Sequence, residues 1–136
     1  MITARVPLKK SGVHAWNIRF LDLREDGEIR IGVCDESVDV NAVLGSDTHG
    51  WAFSSSGGIF HNGARHPHPV PKARDGDSVT IIVDYRLGII VFDMWDFSGA
   101  SSSMVHAYEG LKDKSLYPVI SFGKPGQRIK ATHANA

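Results

Sequence analysis

Apolar and polar residues alternate along most of this chain, and the period is two. In Trp16-Asn17-Ile18-Arg19-Phe20 the pleat of a β-strand sets Trp16, Ile18 and Phe20 on one face, the face that a core would cover. Ile29-Arg30-Ile31-Gly32-Val33 repeats the pattern. Between them, Arg24-Glu25-Asp26-Gly27 ends in the Asp-Gly pair that tight turns favour, so the two segments are expected to form a hairpin. Residues 51–56 alternate too, and after Gly57-Gly58 the pair Ile59-Phe60 closes on the turn dipeptide Asn62-Gly63, which predicts a second hairpin. Val79-Thr80-Ile81-Ile82-Val83 and Ile89-Ile90-Val91-Phe92 flank residues 84–88; runs this apolar belong to strands buried on both faces, and they predict a third hairpin.

A further strand is expected over residues 117–122, where Pro118 suits a strand start or an edge, and a short edge strand over residues 127–131. Residues 36–44 have room for one or two helical turns, and no segment carries three turns of helical spacing. Residues 62–76 read as one long loop rich in His and Pro, and residues 98–103 as a small, mobile polar connector. Many short strands with a turn signal every ten residues or so make this an all-β chain, an antiparallel two-sheet β-sandwich or a barrel. The expected core is Trp16, Ile18, Ile31, Val33, Trp51, Phe53, Ile81, Val83, Val91 and Val119.

Length and composition add limits. At 136 residues, 42% hydrophobic and 22% charged, the chain suits one domain with its own core, drawn over residues 1–131 with a tail at 132–136. No run of about 18 apolar residues is available to cross a bilayer as a helix. The opening MITARVPLKKSG lacks the apolar centre of a signal peptide, and the lone Cys34 has no partner for an intramolecular disulfide, which together favour an intracellular, cytoplasmic setting. Fifteen Lys and Arg balance fifteen Asp and Glu, so the chain lacks the broad positive field that nucleic-acid binding draws on. Lys124, Arg128 and Lys130 read as a solvated strand face.

The candidate chemistry is thin. His61, His66 and His68, with His49 nearby, are the residue type of a zinc site. Pro67 and Pro69 hold that run extended, however, and an ordinary loop, or a polyproline ligand for another module, is the simpler reading. Ser46, Asp47 and His49 have the residue types of a hydrolytic triad, but so close in sequence their side chains diverge, and Asp47 better serves as a turn cap. Asp22, Glu25, Asp26 and Glu28 lack the density of a calcium loop. Cys34 has no base beside it, and no glycine-rich loop precedes a helix. No catalytic residue, metal ligand or cofactor is assigned, and the chain is read as a non-enzyme.

Six blocks in order resemble the SPRY domain: residues 11–16, SGVHAW, like the family's glycine and aromatic-centred strand; Ile31-Gly32-Val33, like its "hGV" strand; LGSDTHGWAFSSSGGIFHNG over residues 44–63, like "LGSD…GW…L…YHNG"; Gly76-Asp77-Ser78-Val79, like "GDVIGV"; Asp84 and Gly88, as in "hDhxxGTLSF"; and residues 116–121, LYPVIS, like "LYPAVS". The pattern is similar to the form found in SPRY and SOCS-box proteins, although no SOCS-box segment follows Ala131. Asp93-Met94-Trp95-Asp96-Phe97 replaces the usual Lys-Asn-Gly turn, and the chain starts directly at the sandwich. Trp95 there reads as a partly exposed aromatic anchor as readily as a packed side chain.

The resemblance implies a concanavalin-like sandwich, monomeric, whose loops at one end bind a protein or a short linear peptide, as in substrate recognition or scaffolding. It places contacts at Asp35, at Val40 and Val43, at Ser54 and Ser56 facing outward, and at Gly123, Lys124 and Pro125. Nucleic acid and membrane are not expected as partners. The alternative is a lectin-like sandwich that binds carbohydrate.

Overall fold

The computed structural model describes residues 1–25 and 27–133. Among the described residues, eleven strands form two antiparallel sheets: β1 (Ile2–Thr3), β2 (Val13–Asp22), β3 (Ile29–Cys34), β4 (Gly50–Ser54), β5 (Ile59–His61), β6 (Ala64–Arg65), β7 (Ser78–Asp84), β8 (Ile89–Trp95), β9 (Ser101–Tyr108), β10 (Tyr117–Phe122) and β11 (Arg128–His133). One sheet has six strands in the order β1-β10-β3-β4-β5-β6, the other five in the order β11-β2-β7-β8-β9. No helix lies among the described residues.

Period two sets the core. Ile18 and Phe20 from β2, Val79, Ile81 and Val83 from β7, and Ile90, Phe92 and Met94 from β8 face Ile29, Ile31 and Val33 from β3 and Trp51, Phe53 and Ile59 from β4 and β5. Phe53 and Phe92 meet across the two sheets at 6.1 Å between ring centroids. Burying each such side chain stabilises the fold by about 1.5–3 kcal/mol.

Two expected core residues sit elsewhere. Val91 is buried but points away from this core, because the pleat turns its neighbours Ile90 and Phe92 inward. Val119 joins a second, smaller cluster with Cys34, Leu44 and Ala52 on the outer face of the six-stranded sheet. Trp16 is only partly buried and packs against the rim of the main core.

The hairpins expected from the sequence divide. β4 pairs with β5, β7 with β8, and β5 with β6 across Asn62-Gly63, whose φ values of 53° and 72° are those of a type I′ turn. β2 and β3 do not pair. β2 lies between β7 and β11, and β3 between β4 and β10. Arg24 and Glu25 take left-handed conformations, at φ 56° and 62°, and Leu23 is buried with its N–H donated to Asp75 at 2.9 Å. This segment therefore carries the chain from one sheet to the other, where Phe20 and Ile29 can face each other through the core.

Three more expectations change. Residues 36–44 form turns rather than helix, because Asp35 accepts the N–H of Ser37 and Asp39 that of Asn41, and such side-chain caps compete with helical pairing. Residues 101–103 are strand, not connector: β9 follows a turn organised by Asp96, whose carboxylate accepts the N–H groups of Ser98 and Ala100. β11 runs to His133, past the boundary expected at residue 131.

Candidate partner-binding surface

Strand direction decides which candidate residues can meet. β3 ends at Cys34 and β4 begins at Gly50, so Asp35, Val40 and Val43 belong to the loop at one end of the sheet. β4 ends at Ser54 and β10 at Phe122, so Ser54, Ser56, Gly123, Lys124 and Pro125 belong to the opposite end. The six residues of β3 separate the two groups by about 20 Å at ~3.3 Å per residue. The eight residues therefore do not share one end of the sandwich, contrary to the expectation from the sequence.

What joins them is the outer face of the six-stranded sheet, because residues 35–49 fold back across it. Opposite one another in adjacent strands stand Val119, Gly32 and Ala52. Gly32 is required here, since a Cβ would lie 1.9 Å from the Trp51 carbonyl oxygen. On this low ground Leu44 is wholly buried. Arg30 fastens the same loop: its Nη1 donates to the Leu44 carbonyl at 3.0 Å, its guanidinium lies 4.2 Å above the Phe60 ring, and its Nε is 3.1 Å from Glu28 Oε2. The face is thus preformed.

At the Asp35 end, a cavity of about 320 Å³ is lined by Thr3, Ala4, Arg5, Cys34, Asp35, Glu36, Val38, Val40 and Tyr117. Asp35 is held by the Ser37 N–H and by the His49 ring at 2.9 Å. Burial, then the Asp35 and Asp47 carboxylates, push the Cys34 thiol up to about 11, so it stays a protonated, inert apolar group. Val40 and Val43 stand 56% and 52% exposed.

At the other end, Gln127 organises the turn that carries Lys124. Its Oε1 accepts the N–H groups of Gly123 and Lys124, both at 2.9 Å, and its Nε2 donates to the Leu23 carbonyl at 3.0 Å. Gly123, Lys124 and Pro125 are exposed, as is Ser56. Ser54 is not: it is fully buried, donating its hydroxyl to Glu28 and accepting the Ser56 N–H. It can shape the surface only through those neighbours. Nothing in the sequence distinguishes Gln127 and Arg30 from other polar turn and strand residues, and Glu28 reads there only as one of the acidic residues about the first turn.

The catalytic and metal-ligating sets do not assemble. Asp47 accepts the His49 N–H at 2.9 Å as a turn cap, while the His49 ring turns to Asp35. His61 stacks on Trp51 at 4.7 Å and bonds the Gly50 carbonyl, and His66 meets Tyr108 edge-on. No group of three His, Cys, Asp or Glu is placed to hold a metal among the described residues. In the acidic set, Asp22 caps the Arg24 N–H and Glu28 faces Arg30 and Ser54, while Asp26 lies outside the described residues. The indole N–H of Trp95 is buried without a partner among the described residues, and Phe97, 74% exposed, is the aromatic that this hairpin presents.

A sequence model of the SPRY domain matches residues 13–135. This chain belongs to the SPRY domain family. The crystal structure of the SPRY domain of human HERC1 superposes with a TM-score of 0.78 at 21% identity, over 98% of this chain and 82% of that one, so the shared feature is the fold. SPRY domains are protein-interaction modules.

Proposed function

We propose that this SPRY domain binds a short linear peptide, or an equivalent protein surface, laid across the outer face of its six-stranded sheet, and thereby serves as a recognition or scaffold module. Contacts run from Asp35 and Val40 at the cavity, past Val43, to Ser56, Gly123, Lys124 and Pro125. The observation that carries this reading is the clamped loop: Leu44 and Arg30 hold residues 35–49 down while Val40, at the cavity, and Val43 remain more than half exposed. A binding face ordered in advance loses little entropy on association.

Replacing Lys124 with Glu tests it. The side chain is exposed and its backbone N–H is what Gln127 holds, so Lys124→Glu is expected to abolish capture in a pull-down without lowering the melting temperature. Unchanged capture counts against this surface. Hits on a peptide array beside a blank glycan array separate protein recognition from carbohydrate binding.

A further inference from the structure

We infer that the outer edge of β10 is a second binding site, next to the cavity beside Asp35, which accepts an extended segment as an added β-strand in place of residues 2–4. The present occupant, β1, is weakly held. It has two residues, both exposed, opposite Ile120 and Val119. The next pairing bond runs from the Ala4 N–H to the Pro118 carbonyl at 2.9 Å. A strand residue points its N–H and C=O to the same side, so the N–H that Pro118 lacks is missing from this very edge.

The strap also fits poorly on its inner side. Ile2 faces the gap between the sheets, paired with Ile120, yet remains 62% exposed. Beneath it lies a hollow of about 230 Å³ with apolar walls from Trp16, Ile18, Pro118, Val119, Ile120 and Ala131. An occupant with a larger apolar side chain at the Ile2 position would fill space that the chain's own residue leaves empty. The ligand class follows: an extended segment of alternating apolar and polar residues, with Leu, Met or Phe over Trp16, recognised through backbone pairing plus one side-chain pocket. Thr3 and Ala4 also wall the cavity beside Asp35, so the two sites adjoin there, but Val43 and Lys124 lie outside this edge and serve to tell them apart.

The test removes residues 1–5 and supplies the strand in trans. The cut spares Leu8, which packs against the core and donates its N–H to the Leu116 carbonyl at 2.8 Å. A synthetic peptide of residues 1–7 is titrated into the truncated, ¹⁵N-labelled domain. Saturable shifts at the Val119 and Ile120 amides with a change in Trp16 fluorescence are expected. The Ile2→Phe peptide should bind about threefold tighter or more, since each added buried methylene stabilises by ~0.8 kcal/mol, and the Ala4→Pro peptide, which lacks the N–H donated to the Pro118 carbonyl, should not bind. Lys124→Glu should leave all three results unchanged. A folded variant that binds none of the peptides, or binds them away from β10, overturns the inference. Should the truncated chain fail to fold, hydrogen exchange on the full chain decides: the Ala4 amide must exchange at least about a hundredfold faster than that of Ile31, as a marginal edge does, and equal protection overturns the inference.

Discussion

Replacing Leu44 with Ala should unseat the loop on which the proposed binding face depends. Leu44 has no exposed surface and packs on Cys34, Ala52 and Val119, away from the main core. Truncating a buried Leu loses its transfer free energy and leaves a cavity, which costs 2–5 kcal/mol. A loop residue over a sheet can relax more than one inside the core, so the lower end applies, about 2–3 kcal/mol. For a domain of 136 residues, at about 3–4 °C per kcal/mol, the melting temperature should fall by roughly 6–12 °C. Val43→Ala, one residue earlier and half exposed, should stay within about 0.5 kcal/mol of the parent. Calorimetry and urea titration measure both variants, and a pull-down then reads capture: lost in Leu44→Ala together with stability, weakened in Val43→Ala without it. A Leu44→Ala shift below about 2 °C would refute the reasoning, for the loop would then be held by something other than that side chain.

Two further outcomes follow from the same face. Gly32→Ala should cost more than about 3 kcal/mol or prevent folding, because its Cβ would meet the Trp51 carbonyl oxygen at 1.9 Å and the sheet itself must move; normal expression with an unchanged urea midpoint would contradict this. The Cys34 thiol, raised to about 11, favours the folded state while protonated. Its contribution is intact below the ordinary thiol pKa of 9.0, is lost as pH rises from there to about 11, and is already smaller by about 1.4 kcal/mol at pH 10. Cys34→Ala should therefore lose less stability than the parent between pH 8 and pH 10, as read by urea midpoints, and parallel losses in the two proteins would exclude the thiol as the cause.

The strands were legible where burial alternates. The segments in β2, β3 and β4 announce their inward faces through Ile18 and Phe20, Ile31 and Val33, and Trp51 and Phe53. The run Ile89-Ile90-Val91-Phe92 did not, since period two cannot choose a face when every position is apolar. β9 is hidden because its first three residues are serines and the residues it packs on the core, Val105, Ala107 and Tyr108, come only at its end. The β2–β3 connection was misjudged because a turn signal marks a reversal, not the sheet that receives the chain. β2 takes its partners from β7 and β11, far along the sequence. Candidate contacts came from motif positions alone, which carry no information on strand ends. Hence the motif pattern puts the Asp35 and Lys124 groups at one end and gives buried Ser54 an exposed role.

A peptide selected on an array and titrated into the ¹⁵N-labelled domain tests the central claim most directly. Binding across the six-stranded sheet predicts shifts at the amides of Val40 and Val43 together with those of Gly123 and Lys124, and little change at Asn17, Thr80 or His106 on the outer face of the opposite sheet. Shifts confined to that opposite sheet, or to one end of the β3 strand alone, would contradict it.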